Sequence, residues 1–226
     1  MNNSNCRVCF VIPTYNEASN IAPLLQQLVR RDPHVLVLVV DDESPDGTAE
    51  IVERMRRDCP RIHLSSGRKE GLGAAYQRGM RVAIDELGAD IVVQMDADFS
   101  HDPDDAFTMI AIVEQGADVA IGSRYVQGGS VDPEWGFARR LLSWGGNVLA
   151  RYVAGIRGVH DCTAGFRVIR SEALRTVRPD ELAPRGYAFQ IALLHRLVAI
   201  DAKIVEYAVH FRDRTRGETK LGHRDL

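Results

Sequence analysis

Val35-Leu36-Val37-Leu38-Val39-Val40-Asp41-Asp42 is the stretch that decides the fold. Residues 35–40 form an unbroken apolar run, too short for a helix and rich in β-branched valine. A strand with one wet face alternates apolar and polar side chains. An unbroken run therefore reads as a strand covered on both faces, the environment of a parallel sheet. Upstream, Val8 to Ile12 is a short β-branched run ended by Pro13, and Asn20 to Arg31 sets Ile21, Leu24, Leu25 and Leu28 on one helical face. Downstream, Asp46-Gly47-Thr48 reads as a turn, with Thr48 as the expected cap of a helix carrying Ile51, Val52 and Met55. Ile62 to Leu64 reads as a third strand, and Gly71 to Leu87 has a helical pattern. Ile91 to Met95 is a second fully buried strand, stopping at Asp96. Pro103 opens a helix through Phe107, Ile110 and Val113, and Val119 to Gly122 is the last clear strand of this half. Strands alternating with helices across short connections imply right-handed crossovers and an open α/β sheet, mostly parallel and twisted, with helices on both faces.

The second half is less regular. Trp135 to Ile156 mixes Arg139, Arg140 and Arg151 with leucines and aromatics, which fits either an ordinary packed helix or an interfacial helix at a membrane surface. Phe166 to Ile169 reads as a strand, Tyr187 to Val198 as a helix and Ile204 to Phe211 as a strand. The tail is polar and basic. No internal repeat interrupts the chain, so residues 1–226 are expected to form one domain.

Composition narrows the function. With 45% hydrophobic and 26% charged residues, the chain is neither disordered, collagen-like nor a disulfide scaffold. A net charge of −3 argues against a nucleic-acid binder. The longest apolar run, Val35–Val40, falls far short of the ~20 residues that span a bilayer. Met1 to Asn5 lacks the basic-then-apolar layout of a signal peptide, so the expected location is the cytoplasm. Cys6-Arg-Val-Cys9 has no second pair and Cys9 lies in an apolar run, so it reads as structural. His34, His63, His160, His195 and His210 lack metal-ligand spacing.

Charge is unevenly distributed. Asp41 to Glu53 carries six acids and no Lys or Arg, and Val82 to Val113 carries eight acids and no Lys or Arg. Arg139 to Arg178 carries eight arginines against two acids. Most of these charges belong to solvated faces. The sharper reading is a cation-binding half facing an anion-binding half.

In an open α/β sheet, ligands sit beyond the carboxyl ends of the strands. Three polar clusters follow strands here and should converge on one edge: residues 13–17, 41–48 and 96–101. Asp96-Ala97-Asp98 puts two carboxylates on alternate residues at a strand end, where they can hold a hard divalent cation and leave room for a diphosphate. Asp41-Asp42 reads either as two capping or turn acids or as a pair of which one accepts hydrogen bonds from a base or ribose, while Tyr15 can offer a stacking face and Glu17 another acceptor. Gly71-Leu72-Gly73 is not a dinucleotide fingerprint, because position 76 is tyrosine, though a helix start beside Arg68 and Lys69 can hold a phosphate. Arg212, Arg214, Arg216 and Lys220 form a basic segment suited to close over a diphosphate.

Taken in order, these residues resemble the inverting nucleotide-sugar transferases of glycosyltransferase family 2, which have a GT-A fold. More narrowly they resemble the polyprenyl-phosphate (dolichol-phosphate) mannose synthases. The matching stretches are PTYNE at 13–17, DDESPDGT at 41–48, GLGAAYQRG at 71–79, DADFSHDP at 96–103, GSRYVQGG at 122–129, DCTAGFR at 161–167, GYAFQ at 186–190 and FRDRTRGETKLG at 211–222. The resemblance implies transfer of mannose from GDP-mannose to a polyprenyl monophosphate, with Mg²⁺ or Mn²⁺. It divides the chain into a nucleotide- and metal-binding half, 1–123, and an acceptor-binding half, 124–226. It implies that Pro13, Tyr15, Glu17 and Asp42 line the nucleotide pocket and that Asp96 and Asp98 serve the metal. Arg124, Arg139, Ser143, Arg214 and Lys220 fall where the family places phosphate-binding groups, with Arg124, Arg139 and Lys220 counted with the aspartates as catalytic. It leaves room for the cytoplasmic face of a membrane and a separate membrane subunit as partners. The chain departs from the family pattern at Ala192, where a glutamate is usual, and at Ser66, where an arginine is common. The alternatives are a polyprenyl-phosphate glucosyltransferase using UDP-glucose and a non-catalytic nucleotide-sugar-binding protein.

Overall fold

Strands and helices alternate as the hydrophobic pattern requires: β1 (Val8–Thr14), α1 (Ala18–Arg31), β2 (Leu36–Asp41), α2 (Thr48–Asp58), β3 (Ile62–Ser66), α3 (Leu72–Arg81), β4 (Ile91–Gln94), α4 (Pro103–Glu114), β5 (Val119–Ser123), α5 (Phe137–Val153), β6 (Arg167–Arg170), α6 (Ser171–Val177), α7 (Tyr187–Ala199) and β7 (Ile204–Ala208). The computed structural model describes residues 6–132, 136–156, 158–182 and 187–211, with the backbone alone at 137–140, 142, 149, 150 and 187. The strands form one sheet in the order β3-β2-β1-β4-β6-β5-β7. β6 runs antiparallel to both of its neighbours, and the other pairings are parallel.

The two-faced burial of the central strands follows from the pleat, which sends alternate side chains to opposite sides. Val37 and Val39 of β2 join Phe10 and Ile12 of β1 under α1, α2 and α4. Leu38 and Val40 join Cys9 and Val11 under α3, α6 and α7. The thiol of Cys9 is wholly buried, and burial pushes it up to about 12, which fits its reading as structural.

Four features differ from the sequence reading. Thr48 does not cap α2. Gly47, at φ 88°, holds that position, and the Thr48 hydroxyl donates to Asp46 Oδ1 at 2.6 Å while accepting the Glu17 N–H at 2.9 Å. The helical pattern over 71–87 resolves into α3 and a π-helical turn, Val82–Glu86. The short helix α6, and the reversed direction of β6, were not visible in the pattern. A strand buried on both faces looks the same read in either direction.

The chain runs from β1 outward to β2 and β3, then returns to place β4 on the other side of β1. That reversal is the switch point of an open α/β sheet, where the loops leaving β1 and β4 diverge and open a crevice.

Candidate active site

The loops that leave β1, β2 and β4 each hold one non-glycine residue in the left-handed region: Asn16 at φ 57°, Glu43 at φ 53° and Phe99 at φ 64°. Such residues persist where the surroundings over-determine the backbone. Here side-chain hydrogen bonds within and between the loops hold them.

Asp41 is the tie between the first two loops. Wholly buried, it accepts the Thr14 hydroxyl at 2.9 Å, the Ser44 N–H at 2.9 Å and the Ser44 hydroxyl at 2.6 Å. Asp46 performs a related task across the same gap. It accepts the Ala18 N–H at 3.0 Å and the Thr48 N–H at 3.1 Å, so one carboxylate satisfies an orphan donor at the start of both α1 and α2. Burial opposes its ionisation, but these bonds and the Thr48 hydroxyl outweigh it and hold the carboxyl below the usual range.

With Asp41 spent on structure, Asp42, also buried, meets a different partner. Arg78 of α3 donates to its Oδ1 at 2.7 Å. Burial still raises the Asp42 carboxyl above its ordinary value, with Arg78 offsetting part of the cost. Pro13 and Tyr15 are half-buried at the end of β1, and Glu17 is buried, accepting the Asn20 amide at 2.7 Å. Lys69 lies over the Tyr15 ring, its Nζ 3.5 Å from the centroid. The face expected to stack on a base is therefore covered by a cation in this structure.

Asp96 and Asp98 follow β4 at the same edge of the sheet, since β4 runs parallel to β1. The Asp96 side chain is 41% exposed; its Oδ1 accepts the Tyr76 hydroxyl at 3.3 Å. Burial holds the Tyr76 phenol protonated, well above its usual value, so it is a dependable donor. Asp98 is buried and accepts the Ser100 N–H at 3.0 Å. Among the described residues, the buried Ser100 hydroxyl has no hydrogen-bond partner, and no group of three or more His, Cys, Asp or Glu side chains forms a metal cage. Two carboxylates and an unpartnered hydroxyl within one five-residue loop are hard oxygen donors. They fit a small divalent cation that takes the rest of its coordination from substrate phosphate and water.

Arg124, after β5, is held more rigidly than its sequence position suggested. Its Nε and Nη2 donate to the two oxygens of buried Asp161 at 2.8 Å each, and Nη2 also donates to Thr163 at 2.8 Å. Glu206 of β7 fixes the Asp161 loop by accepting the Asp161 N–H at 3.0 Å. The fork is thus preorganised, and its charge is shared with a carboxylate. Ser143 of α5 lies 2.8 Å from the Tyr125 hydroxyl. Asn147, one turn on, accepts the Cys162 N–H at 2.9 Å and donates to the His160 carbonyl, so α5 is stapled to the Asp161 loop. The Arg139 side chain, Trp135, Arg214 and Lys220 lie outside the described residues.

An aromatic relay joins these groups to the DxD loop. His101 stacks on Phe166 at 4.6 Å and meets Phe211 edge-on at 6.4 Å, and the Arg124 guanidinium sits 5.7 Å from the Phe211 centroid. The expected convergence of residues 13–17, 41–48 and 96–101 on one edge is seen, and this relay ties Arg124 to it. Sequence reasoning gave no role to Tyr76, Arg78, His101 or Asp161. Their only signal was membership of the motifs GLGAAYQRG, DADFSHDP and DCTAGFR.

Fold and site together define a glycosyltransferase of GT-A architecture. The structure resembles the crystal structure of glucosyl-3-phosphoglycerate synthase from Mycobacterium tuberculosis in complex with Mn²⁺, UDP-glucose and phosphoglyceric acid. The TM-score is 0.68 at 18% identity, covering 96% of this chain and 74% of that one; at that identity the likeness is one of fold. The glycosyl transferase family 2 model matches residues 9–178, and the chain belongs to that family. It is 39% identical over 217 residues to polyprenol monophosphomannose synthase of Mycolicibacterium smegmatis, covering 95% of this chain and 81% of that protein. It is 38% identical over 216 residues to undecaprenyl-phosphate mannosyltransferase of Micrococcus luteus, covering 95% of this chain and 87% of that protein.

Proposed function

We propose that this enzyme transfers mannose from GDP-mannose to a polyprenyl monophosphate with inversion. The observation that carries this reading is the identity of 38–39% to two polyprenyl-phosphate mannosyltransferases along 95% of the chain.

The chemistry asks little of a general base. A phosphomonoester has its second pKa near ~6, so the acceptor is largely a dianion at neutral pH and can attack the anomeric carbon directly. One displacement converts an α-linked donor into a β-linked mannosyl phosphate. The difficulty is repulsion. At ~4 Å and an effective dielectric near ~20, each pair of like unit charges costs about 4 kcal/mol. The protein must set cations against both phosphate groups. On the donor side, Asp42, Glu17, Pro13 and Tyr15 bind the nucleoside, with Lys69 displaced or shared with the base. Asp96 and Asp98, with the Ser100 hydroxyl, would hold Mg²⁺ or Mn²⁺. The cation, when bound, supplies Lewis-acid stabilisation of diphosphate charge. On the acceptor side, Arg124, Ser143 and Arg139 receive the lipid phosphate, with Arg214 and Lys220 completing the cationic wall.

The acceptor is a lipid, and α5 suits its surroundings. Leu141 and Trp144 are 53% exposed and Tyr152 is 82% exposed. At about 100° per residue the three fall within a stripe of roughly 80°. An apolar stripe beside arginines is the composition of an interfacial helix. Among the described residues no helix is long and apolar enough to cross a membrane. We place the enzyme on the cytoplasmic membrane face, where a membrane subunit could assist it.

The test is a transfer assay crossing GDP-mannose, UDP-glucose and UDP-N-acetylglucosamine against a short polyprenyl phosphate, with and without Mn²⁺. Product from GDP-mannose alone, dependent on the cation, is expected. Product from UDP-glucose alone would overturn the donor assignment. Asp98→Asn should abolish the cation-dependent turnover with the circular dichroism spectrum unchanged; full turnover in that variant would remove the metal role of Asp98.

A further inference from the structure

His101 is 6% exposed and touches both ends of the loop it closes. Its Nδ1 accepts the backbone N–H of Asp96 at 3.1 Å, so the ring proton of this tautomer is on Nε2. That Nε2 lies 3.9 Å from Asp96 Oδ2. Asp96 is therefore approached by the imidazole on its main chain and beside one oxygen, and by the Tyr76 phenol on the other. Between the two anchor points the chain passes through Phe99 at φ 64°. A bulky residue in that region is strained and persists only where the surroundings hold it. The imidazole is itself held. Its plane lies 7° from that of Phe166, and it meets the Phe211 ring at an interplanar angle of 67°.

We propose that His101 is a positioning residue: its Nδ1 clamps the backbone at Asp96 and keeps that carboxylate in the pose that receives a divalent cation. The inference rests on reading Asp96 as a cation ligand. Without the clamp the strained loop relaxes, and the cation must reorder it on binding, so affinity falls while the fold survives. Packing alone would make a different prediction, because a phenyl ring preserves the stack on Phe166.

Three variants separate these roles. His101→Phe keeps the stack and loses both nitrogens. His101→Asn carries an acceptor close to the Nδ1 position. His101→Gln carries its amide near the Nε2 position. The probe is Mn²⁺ added to the full chain with GDP, read by the electron paramagnetic resonance signal of free Mn²⁺, alongside thermal unfolding. Loss of one hydrogen bond corresponds to a roughly five- to tenfold weaker Mn²⁺ affinity in His101→Phe. His101→Asn should recover most of that loss and His101→Gln should not. The Mn²⁺ concentration for half-maximal transfer should shift in parallel, with the acceptor KM unchanged. Wild-type affinity in His101→Phe overturns the proposal in favour of packing, and equal loss in the Phe, Asn and Gln variants overturns the assignment of the clamp to Nδ1. Should His101→Phe fail to fold, equal Mn²⁺ affinity in the Asn and Gln variants overturns it. Asp96→Asn is the control: if it binds Mn²⁺ as wild type does, the cation reading of Asp96 fails, and the His101 proposal falls with it. Loss in Asp96→Asn with no loss in His101→Phe sinks the His101 proposal alone.

Discussion

Asp41 and Asp42 are adjacent carboxylates with opposite duties, and the difference lies in what reaches their oxygens. Asp41 is saturated by Thr14 and Ser44. Asp42 has a guanidinium on one oxygen and a carboxyl raised by burial. Above the ordinary 3.8 and up to the raised value, folded protein holds a proton that unfolded chain has released. Ionising Asp42 therefore costs stability as pH rises through that window. A base or ribose that donates to Asp42 favours the ionised form, so nucleotide affinity should fall as pH drops through the same window. Titration calorimetry of GDP between pH 7 and 4 should show this slope in wild type and a flatter one in Asp42→Asn. GDP titrates itself, so the difference between the two proteins is the readout. Identical slopes would remove Asp42 from the nucleotide site.

At the scale of elements, α3 carries the argument. It presents Tyr76 to Asp96 and Arg78 to Asp42, so its depth on the sheet sets two polar contacts at once. Gly79 sets that depth. A Cβ there would collide with Val11 and lie 2.8 Å from Val40 Cγ2, both on the sheet beneath. Gly79→Ala should destabilise by roughly 1–3 kcal/mol, read as a lower urea midpoint with unchanged slope. It should also weaken GDP binding, because a raised α3 carries both side chains away. The paired caps of α1 and α2 give a second test. Asp46→Ala should cost about 1–2 kcal/mol. The carboxyl of Asp46 sits low, so its contribution is present above 3.8 and lost as pH falls through the lowered value. The gap between wild type and variant in thermal unfolding should close on acidification, and a gap constant down to pH 2 would contradict the double-cap account.

On the scale of the whole molecule, α5 with its exposed Trp144 and the Arg124 fork meet at one loop, the one that carries Asp161. Asn147 joins them by fixing α5 to the loop that carries Asp161. Trp144→Asp puts a charge in the middle of the stripe. It should reduce flotation with anionic liposomes severalfold and raise the KM for a long-chain acceptor, while a water-soluble short-chain acceptor is used as before. Equal flotation of both proteins would remove α5 from the membrane contact.

The amino-acid sequence by itself determined the α/β class, the mostly parallel sheet, and the carboxylates at its edge. Those are local signals: a strand buried on both faces is apolar throughout, and an acid after such a strand stands at its carboxyl end whatever the rest of the chain does. The Asp41-Asp42 pair, Asp96 and Asp98 were legible as residues of that edge for this reason. The groups that aim them were not. Arg78 reaches Asp42 across 36 residues, Tyr76 reaches Asp96 across 20 and Arg124 meets Asp161 across 37. No periodicity records pairings of that kind, because they exist only once crossover connections bring separate elements to one edge. The same holds for β6, whose direction is set by its neighbours and not by its own side chains. Tertiary structure alone decided that His101, five residues beyond Asp96, turns back to bind it, since that turn depends on Phe166 and Phe211 arriving from the far half of the chain.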